Sequence, residues 1–128
     1  MGLKDVLRVL VVDDMSTSRG ILVQALDSLG IQTVEYAEDG KQGMLRAKQM
    51  LPHLIISDLY MPELNGLQLL QHLRHEPTTK KIGFILVTGR ADTQVIQAGK
   101  ALGMNNFIPK PFTVADIKNS IESVVGRL

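Results

Sequence analysis

Five short apolar runs, each followed by a stretch with helical spacing, limit most strongly what this chain can fold into. The runs are Arg8 to Val12, Thr33 to Ala37, Leu54 to Ser57, Ile82 to Val87 and Asn106 to Ile108. Several are almost unbroken in Val, Ile, Leu and Phe, the pattern of strands buried on both faces of a sheet. The stretches between them carry apolar stripes at helical intervals. The stripes are Ile21, Leu22, Ala25, Leu26 and Leu29; then Met44, Ala47 and Leu51; then Leu69, Leu70 and Leu73; then Val95, Ala98, Gly99 and Leu102; and last Val114, Ile117, Ile121, Val124 and Val125. Strand and helix alternating five times predict an α/β fold, a (βα)5 doubly wound parallel sheet with right-handed crossovers and helices on both faces. A length of 128 residues suits one domain over 1–128 and leaves no room for a second.

The boundaries carry matching punctuation. Ser16 is placed to cap the first of these helices and Gly30 to end it. Pro52 stops the second, Pro77 follows the third and Gly103 closes the fourth. Thr113 caps the fifth, with Asp116 supplying an acid in its first turn. Gly40 and Gly43 lower helix stability, so the second helix is expected to be short or mobile.

Composition removes several functional classes. There is no cysteine, so disulfides, thiolate zinc sites and cysteine nucleophiles are unavailable. No apolar run approaches the roughly 20 residues that span a bilayer, and Met-Gly-Leu-Lys-Asp is not the start of a signal peptide. A net charge of +1 lacks the basic excess of a nucleic-acid binder. A soluble cytoplasmic protein, bound neither to membrane nor to nucleic acid, is the expectation.

In an open parallel sheet, ligands bind beyond the carboxyl ends of the strands. Asp13 and Asp14 follow the first strand here, Asp58 the third, Thr88 ends the fourth and Lys110 follows the fifth between two prolines. Glu38 and Asp39 follow the second. Each residue has a plain structural reading: the acids as turn formers or caps, Thr88 as a β-favouring residue, Lys110 as a solvated charge. The fold, however, brings them to one sheet edge. Clustered carboxylates repel one another and need a counter-charge. An all-oxygen donor set without His or Cys favours a hard cation such as Mg²⁺, which in turn points to a phosphate-bearing partner. A carboxylate is also a competent nucleophile for an aspartyl phosphate. Lys110 and Thr88 have the charge and the hydroxyl to stabilise phosphoryl oxygens.

These residues, at these spacings, resemble the receiver domain of two-component response regulators. The likeness runs from Val9 to Val125. It rests on Val11-Val12-Asp13-Asp14, on Ile56-Ser57-Asp58-Leu59-Tyr60-Met61-Pro62 with Asn65-Gly66, on Val87-Thr88-Gly89 and on Ile108-Pro109-Lys110-Pro111-Phe112. Asp13-Asp14-Met15-Ser16-Thr17 and the absence of an output domain look like the family's stand-alone chemotaxis members. The resemblance implies a flavodoxin-like strand order 2-1-3-4-5. It implies that Asp58 accepts a phosphoryl group from a histidine kinase, and that Asp13, Asp14, Asp58 and the Tyr60 backbone carbonyl hold Mg²⁺. Lys110 pairs with Asp58 and then with the phosphoryl group, while Thr88 and Phe107 form the switch. A cis Lys110–Pro111 bond is also implied. The fourth helix, fifth strand and fifth helix then present a changed face to a protein target, a flagellar motor switch protein in a chemotaxis pathway. A phosphatase is a further possible partner, and a monomer is implied. Phe107 stands where many members have Tyr, and so lacks a hydroxyl. Tyr60 and Arg90 occupy the positions that tune how fast water reaches the aspartyl phosphate.

Three other functions compete with this reading. A phosphate sink or relay uses the same chemistry without a motor target. A Mg²⁺-dependent phosphohydrolase commonly has an acid two residues past the nucleophile, where this chain has Tyr60. A flavin mononucleotide binder needs a phosphate-cradling loop and aromatic rings, but Asp13 and Asp14 repel phosphate and aromatics are only 4%. His72 and His75 lack a third ligand and read as a solvated face, and His53 reads as a loop residue. The methionines read as core filling.

Overall fold

A computed structural model of the chain describes residues 2–89 and 93–128. In chain order the elements are α1 (Leu3–Val6), β1 (Arg8–Val12), α2 (Ser16–Ser28), β2 (Thr33–Ala37), α3 (Gly40–Met50), β3 (Leu54–Asp58), α4 (Gly66–His75), β4 (Gly83–Thr88), α5 (Thr93–Ala101), β5 (Asn106–Pro109) and α6 (Val114–Val125). The five strands are parallel in the order β2-β1-β3-β4-β5. The fourth and fifth helices read from the sequence are α5 and α6, because a one-turn helix, α1, precedes the first strand.

The unbroken apolar runs take part in two cores, one on each side of the sheet. Val9 and Val11 of β1, Leu54 and Ile56 of β3, and Ile85 and Val87 of β4 pack toward Leu22, Ala25 and Leu26 of α2 and Ile117 and Ile121 of α6. The alternate residues Leu10, Val12, Ile55, Phe84 and Leu86 pack toward Ala47 of α3 and Leu69, Leu70 and Leu73 of α4. This two-residue alternation, apolar on both faces, is what a covered parallel sheet requires.

Local chemistry explains most boundaries. Asp39 caps α3 by accepting from Gln42 N at 2.8 Å. Asn65 with Gln68 and Thr113 with Asp116 form reciprocal capping boxes on α4 and α6. Gly30 follows α2 at φ +80°, the left-handed conformation that favours glycine. Two expectations are corrected. Ser16 is the first helical residue of α2, not its cap; Met15 takes that place without a side-chain bond, and its N donates to Asp13 Oδ1. The helix carrying Gly40 and Gly43 is not short, running for 11 residues. Both glycines are buried at close approaches: a Cβ on Gly40 would press on the Leu64 backbone, and one on Gly43 would lie 3.1 Å from Val12. Packing here outweighs propensity.

His72 and His75 are exposed, as a solvated face requires. His53 precedes β3 in a bend, where its Nδ1 accepts from Arg8 N at 3.0 Å. Met44, Met50 and Met104 pack against the α3–α4 core and Met61 lies within it, but Met15 is 61% exposed.

Candidate functional site

Strand order decides which sequence-distant acids meet. β1 lies beside β3 with Val12 opposite Ser57, so Asp13 and Asp58 leave the sheet side by side. One carboxylate oxygen from each of Asp13, Asp14 and Asp58 lies within 4.8 Å of the others. Asp13 is fully buried, Asp14 is exposed and Asp58 is 7% exposed.

Asp13 is held by its surroundings at three points, the first being its backbone N, which donates to Ala37 O at 3.2 Å. Its Oδ1 accepts from Met15 N at 3.0 Å. Its backbone carbonyl accepts from Arg19 Nη1 at 2.9 Å. The Arg19 guanidinium also stacks 4.9 Å over the Tyr36 ring, a cation–π contact between α2 and β2. Asp13 Oδ2, by contrast, is buried with no hydrogen-bond partner. A buried carboxylate oxygen with no donor is costly unless something positive completes it.

Asp58 ends β3, and its backbone is fixed on both sides. Ser57 Oγ donates to the Asp58 carbonyl at 2.9 Å, and Leu59 N donates to Val87 O at 3.2 Å. Gly66 opens α4 directly beneath: its N donates to Leu59 O at 2.8 Å, and a Cβ there would collide with the Asp58 carbonyl oxygen. Only glycine allows the helix to start this close to the strand.

Lys110 crosses to this carboxylate from the loop after β5. Its Nζ lies 3.2 Å from Asp58 Oδ1, and its backbone N donates to Thr88 O at 3.0 Å. The Lys110–Pro111 bond is cis, as the family resemblance implied. Burial pushes the Asp58 carboxyl above its ordinary value, and the nearby Asp13 charge adds to this; Lys110 pulls in the opposite direction. The group is therefore uncomfortable as an isolated anion and favours an added cation.

The donor set fits a hard divalent cation. It is oxygen only, it includes the orphaned Asp13 Oδ2, and its three acids face a single lysine. Asp13, Asp14 and Asp58 would hold Mg²⁺.

The remaining predicted residues lie around this edge. Thr88 is buried at the end of β4. Phe107 sits on β5 opposite Leu86, half-buried against the α3–α4 core. Tyr60, two residues past Asp58, is 56% exposed. Arg90 lies outside the described residues. Sequence reading missed three contributors: Arg19, which braces the Asp13 backbone, Gly66 as a close-approach residue, and Ser18, whose Oγ accepts from Lys110 Nζ at 3.2 Å. Gly66 was visible as part of the Asn-Gly pair, but nothing in the sequence pairs residues 18 and 110. Beside Lys110, a groove of about 550 Å³ is lined by Met15, Thr17, Ser18, Ile21, Pro111 and Phe112.

Comparison with known proteins agrees with this geometry. The profile of the response regulator receiver domain matches residues 9–122. A probable chemotaxis protein CheY of Rhizobium etli is 42% identical over 128 residues, covering 100% of this chain and 99% of that protein. Chemotaxis protein CheY1 of Helicobacter pylori is 40% identical over 124 residues, 94% of this chain and 98% of that one. Among solved structures, the Vibrio cholerae chemotaxis protein CheY4 superposes with a TM-score of 0.87 at 28% identity, over 93% of this chain and 98% of the other.

Proposed function

This chain belongs to the response regulator receiver domain family, and we propose that it is a chemotaxis-type response regulator that accepts a phosphoryl group on Asp58 from the phosphohistidine of a kinase. The observation that carries this reading is the Asp58 carboxylate within a three-acid group, with Lys110 Nζ 3.2 Å from its Oδ1. A nucleophilic carboxylate, a cation-seeking pocket and a fixed ammonium are what phosphoryl transfer needs.

In the transfer, an Asp58 oxygen forms a bond to phosphorus as the bond to the donor imidazole nitrogen breaks. The electron pair returns to the imidazole, which takes up a proton. Asp13, Asp14, Asp58 and the Tyr60 carbonyl would hold Mg²⁺, which when bound would neutralise charge on the phosphoryl oxygens. Lys110 moves its contact from the carboxylate to the phosphoryl group. The Thr88 hydroxyl turns toward that group, and Phe107, half-buried next to β4, takes up the space it leaves. The surface of α5, β5 and α6 then differs between the two states and reads out the charge. Unlike a turnover enzyme, the protein keeps the group it receives until hydrolysis.

Tyr60 and Arg90 set the lifetime, Tyr60 by its exposed bulk beside Asp58. Unchanged autodephosphorylation in both Tyr60→Asn and Arg90→Glu refutes this. The target is a flagellar motor switch protein, in line with the chemotaxis names of the relatives. The protein acts as a cytoplasmic monomer; no helix among the described residues is long and apolar enough to cross a membrane. Phosphorylation that leaves affinity for the switch protein unaltered favours a phosphate sink instead.

The test of the main reading is incubation with acetyl phosphate and Mg²⁺, followed by intact-mass measurement. One added phosphoryl group, absent in Asp58→Asn, is expected. No addition to the unaltered protein overturns the reading.

A further inference from the structure

We propose that Ser18 is a positioning residue for phosphoryl transfer, its hydroxyl holding the Lys110 ammonium over the Asp58 carboxylate. The inference rests on the phosphoacceptor reading above and adds to it a residue that acts through Lys110.

Lysine carries its charge on a flexible four-carbon stem, as a rotor with three donors. One acceptor leaves the head free to pivot about that contact. Here Lys110 Nζ meets two, Asp58 Oδ1 at 3.2 Å and Ser18 Oγ at 3.2 Å. The acceptors come from different elements, the end of β3 and the first turn of α2, so together they fix both the position and the direction of the ammonium. The other end of the side chain is anchored as well, since Lys110 N donates to Thr88 O at 3.0 Å. With two directions of the head satisfied, the third N–H is left for an incoming phosphoryl oxygen. Ser18 also keeps a hold on the lysine while the Asp58 oxygen turns from acceptor into ester.

A serine this near a helix start most often serves the helix's own backbone. Here the serine's hydroxyl is spent on Lys110, 92 residues away in the chain, and the cap position of α2 is Met15 with no side-chain bond. Ser18 is not among the acids that would hold the cation, so its removal leaves that donor set intact.

The experiment measures the rate of phosphoryl gain from acetyl phosphate and Mg²⁺ by intact mass. It uses the unaltered chain, Ser18→Ala, Ser18→Thr, Lys110→Ala and the Ser18→Ala/Lys110→Ala pair, with thermal melts of each. Ser18→Ala is expected to slow the gain about three- to tenfold, the weight of one ordinary net hydrogen bond, since Lys110 keeps its contact with Asp58. Ser18→Thr, which keeps the hydroxyl, restores most of the rate. In the Lys110→Ala background the Ser18→Ala change has no further effect, since the residue through which it acts is gone. Equal rates for the unaltered chain and Ser18→Ala overturn the proposal. So does a Ser18→Ala effect of the same size without Lys110, or failure of Ser18→Thr to recover. An unaltered chain that gains no phosphoryl group at all instead overturns the phosphoacceptor reading, so the two failures are distinguishable.

Discussion

Replacing Asp58 with asparagine is expected to stabilise the metal-free protein, although it removes an ion pair. The carboxylate feels three large effects. Lys110 Nζ at 3.2 Å attracts it by about 5 kcal/mol at an effective dielectric near 20. Asp13, within 4.8 Å, repels it by about 3.5 kcal/mol on the same scale. Burial to 7% exposure opposes the charge further and is the largest influence on it; together with Asp13 it outweighs Lys110, so the carboxyl lies above its ordinary value. The outcome of these opposing effects is a net penalty on the charged form. Asparagine keeps the shape and drops the charge, so a higher urea midpoint is expected. The sign with pH follows from proton binding. The native carboxyl holds its proton more tightly than the unfolded one, whose value is 3.8. Stability therefore falls as pH rises from that value through the raised native one, and below it both states carry the proton. The variant's advantage is full at pH 8 and shrinks toward pH 4. Urea unfolding in EDTA, followed by far-UV circular dichroism since the chain has no Trp, measures both. Adding Mg²⁺ should stabilise the unaltered chain more than the variant. A variant no more stable at pH 8, or an advantage of equal size at pH 4, refutes the reasoning.

Three further outcomes follow from the same site and its supports. Gly66→Ala drives a Cβ into the Asp58 carbonyl and to 2.8 Å from Leu86 Cδ1, so a loss of about 1–3 kcal/mol in urea is expected, together with weaker Mg²⁺ binding. A melt within experimental error of the unaltered chain contradicts it. Arg19→Ala removes the bond to the Asp13 carbonyl and the stack on Tyr36; about a fivefold loss of Mg²⁺ affinity by calorimetry is expected, with Tyr36→Phe nearly neutral. Arg74 joins α4 to the segments that lead into β4 and β5, donating to Ile82 O at 2.7 Å, Gly103 O at 2.8 Å and Asn105 Oδ1 at 3.3 Å. Arg74→Ala should cost about 2 kcal/mol, discounted for partial exposure, and a loss under about 0.5 kcal/mol would show the clamp to be ornamental.

The sequence by itself determined the architecture and most of the acids. Unbroken apolar runs such as Val9–Val12 and Phe84–Val87 suit strands covered on both faces, and their alternation with helical stripes gives the α/β class. Asp13, Asp14, Asp58, Thr88 and Lys110 were legible because strand ends are visible in hydropathy and a parallel sheet puts all those ends on one edge. Helix ends were legible where a side chain caps its own first turn, as with Thr113 and Asp116, and misread at Ser16, where Met15 N bonds Asp13 Oδ1 and the cap falls one residue earlier. Periodicity carried no strand order; the order 2-1-3-4-5 came from family likeness and agrees with the sheet. What only the tertiary structure decided are features that no hydropathy pattern encodes: the orphaned Asp13 Oδ2, the Arg19 brace, the bare backbone approach at Gly66, and the meeting of Ser18 with Lys110. Hydropathy reports whether a residue is buried, but a hydrogen bond depends on distances of a few tenths of an ångström, and these are set only when both layers close on the sheet.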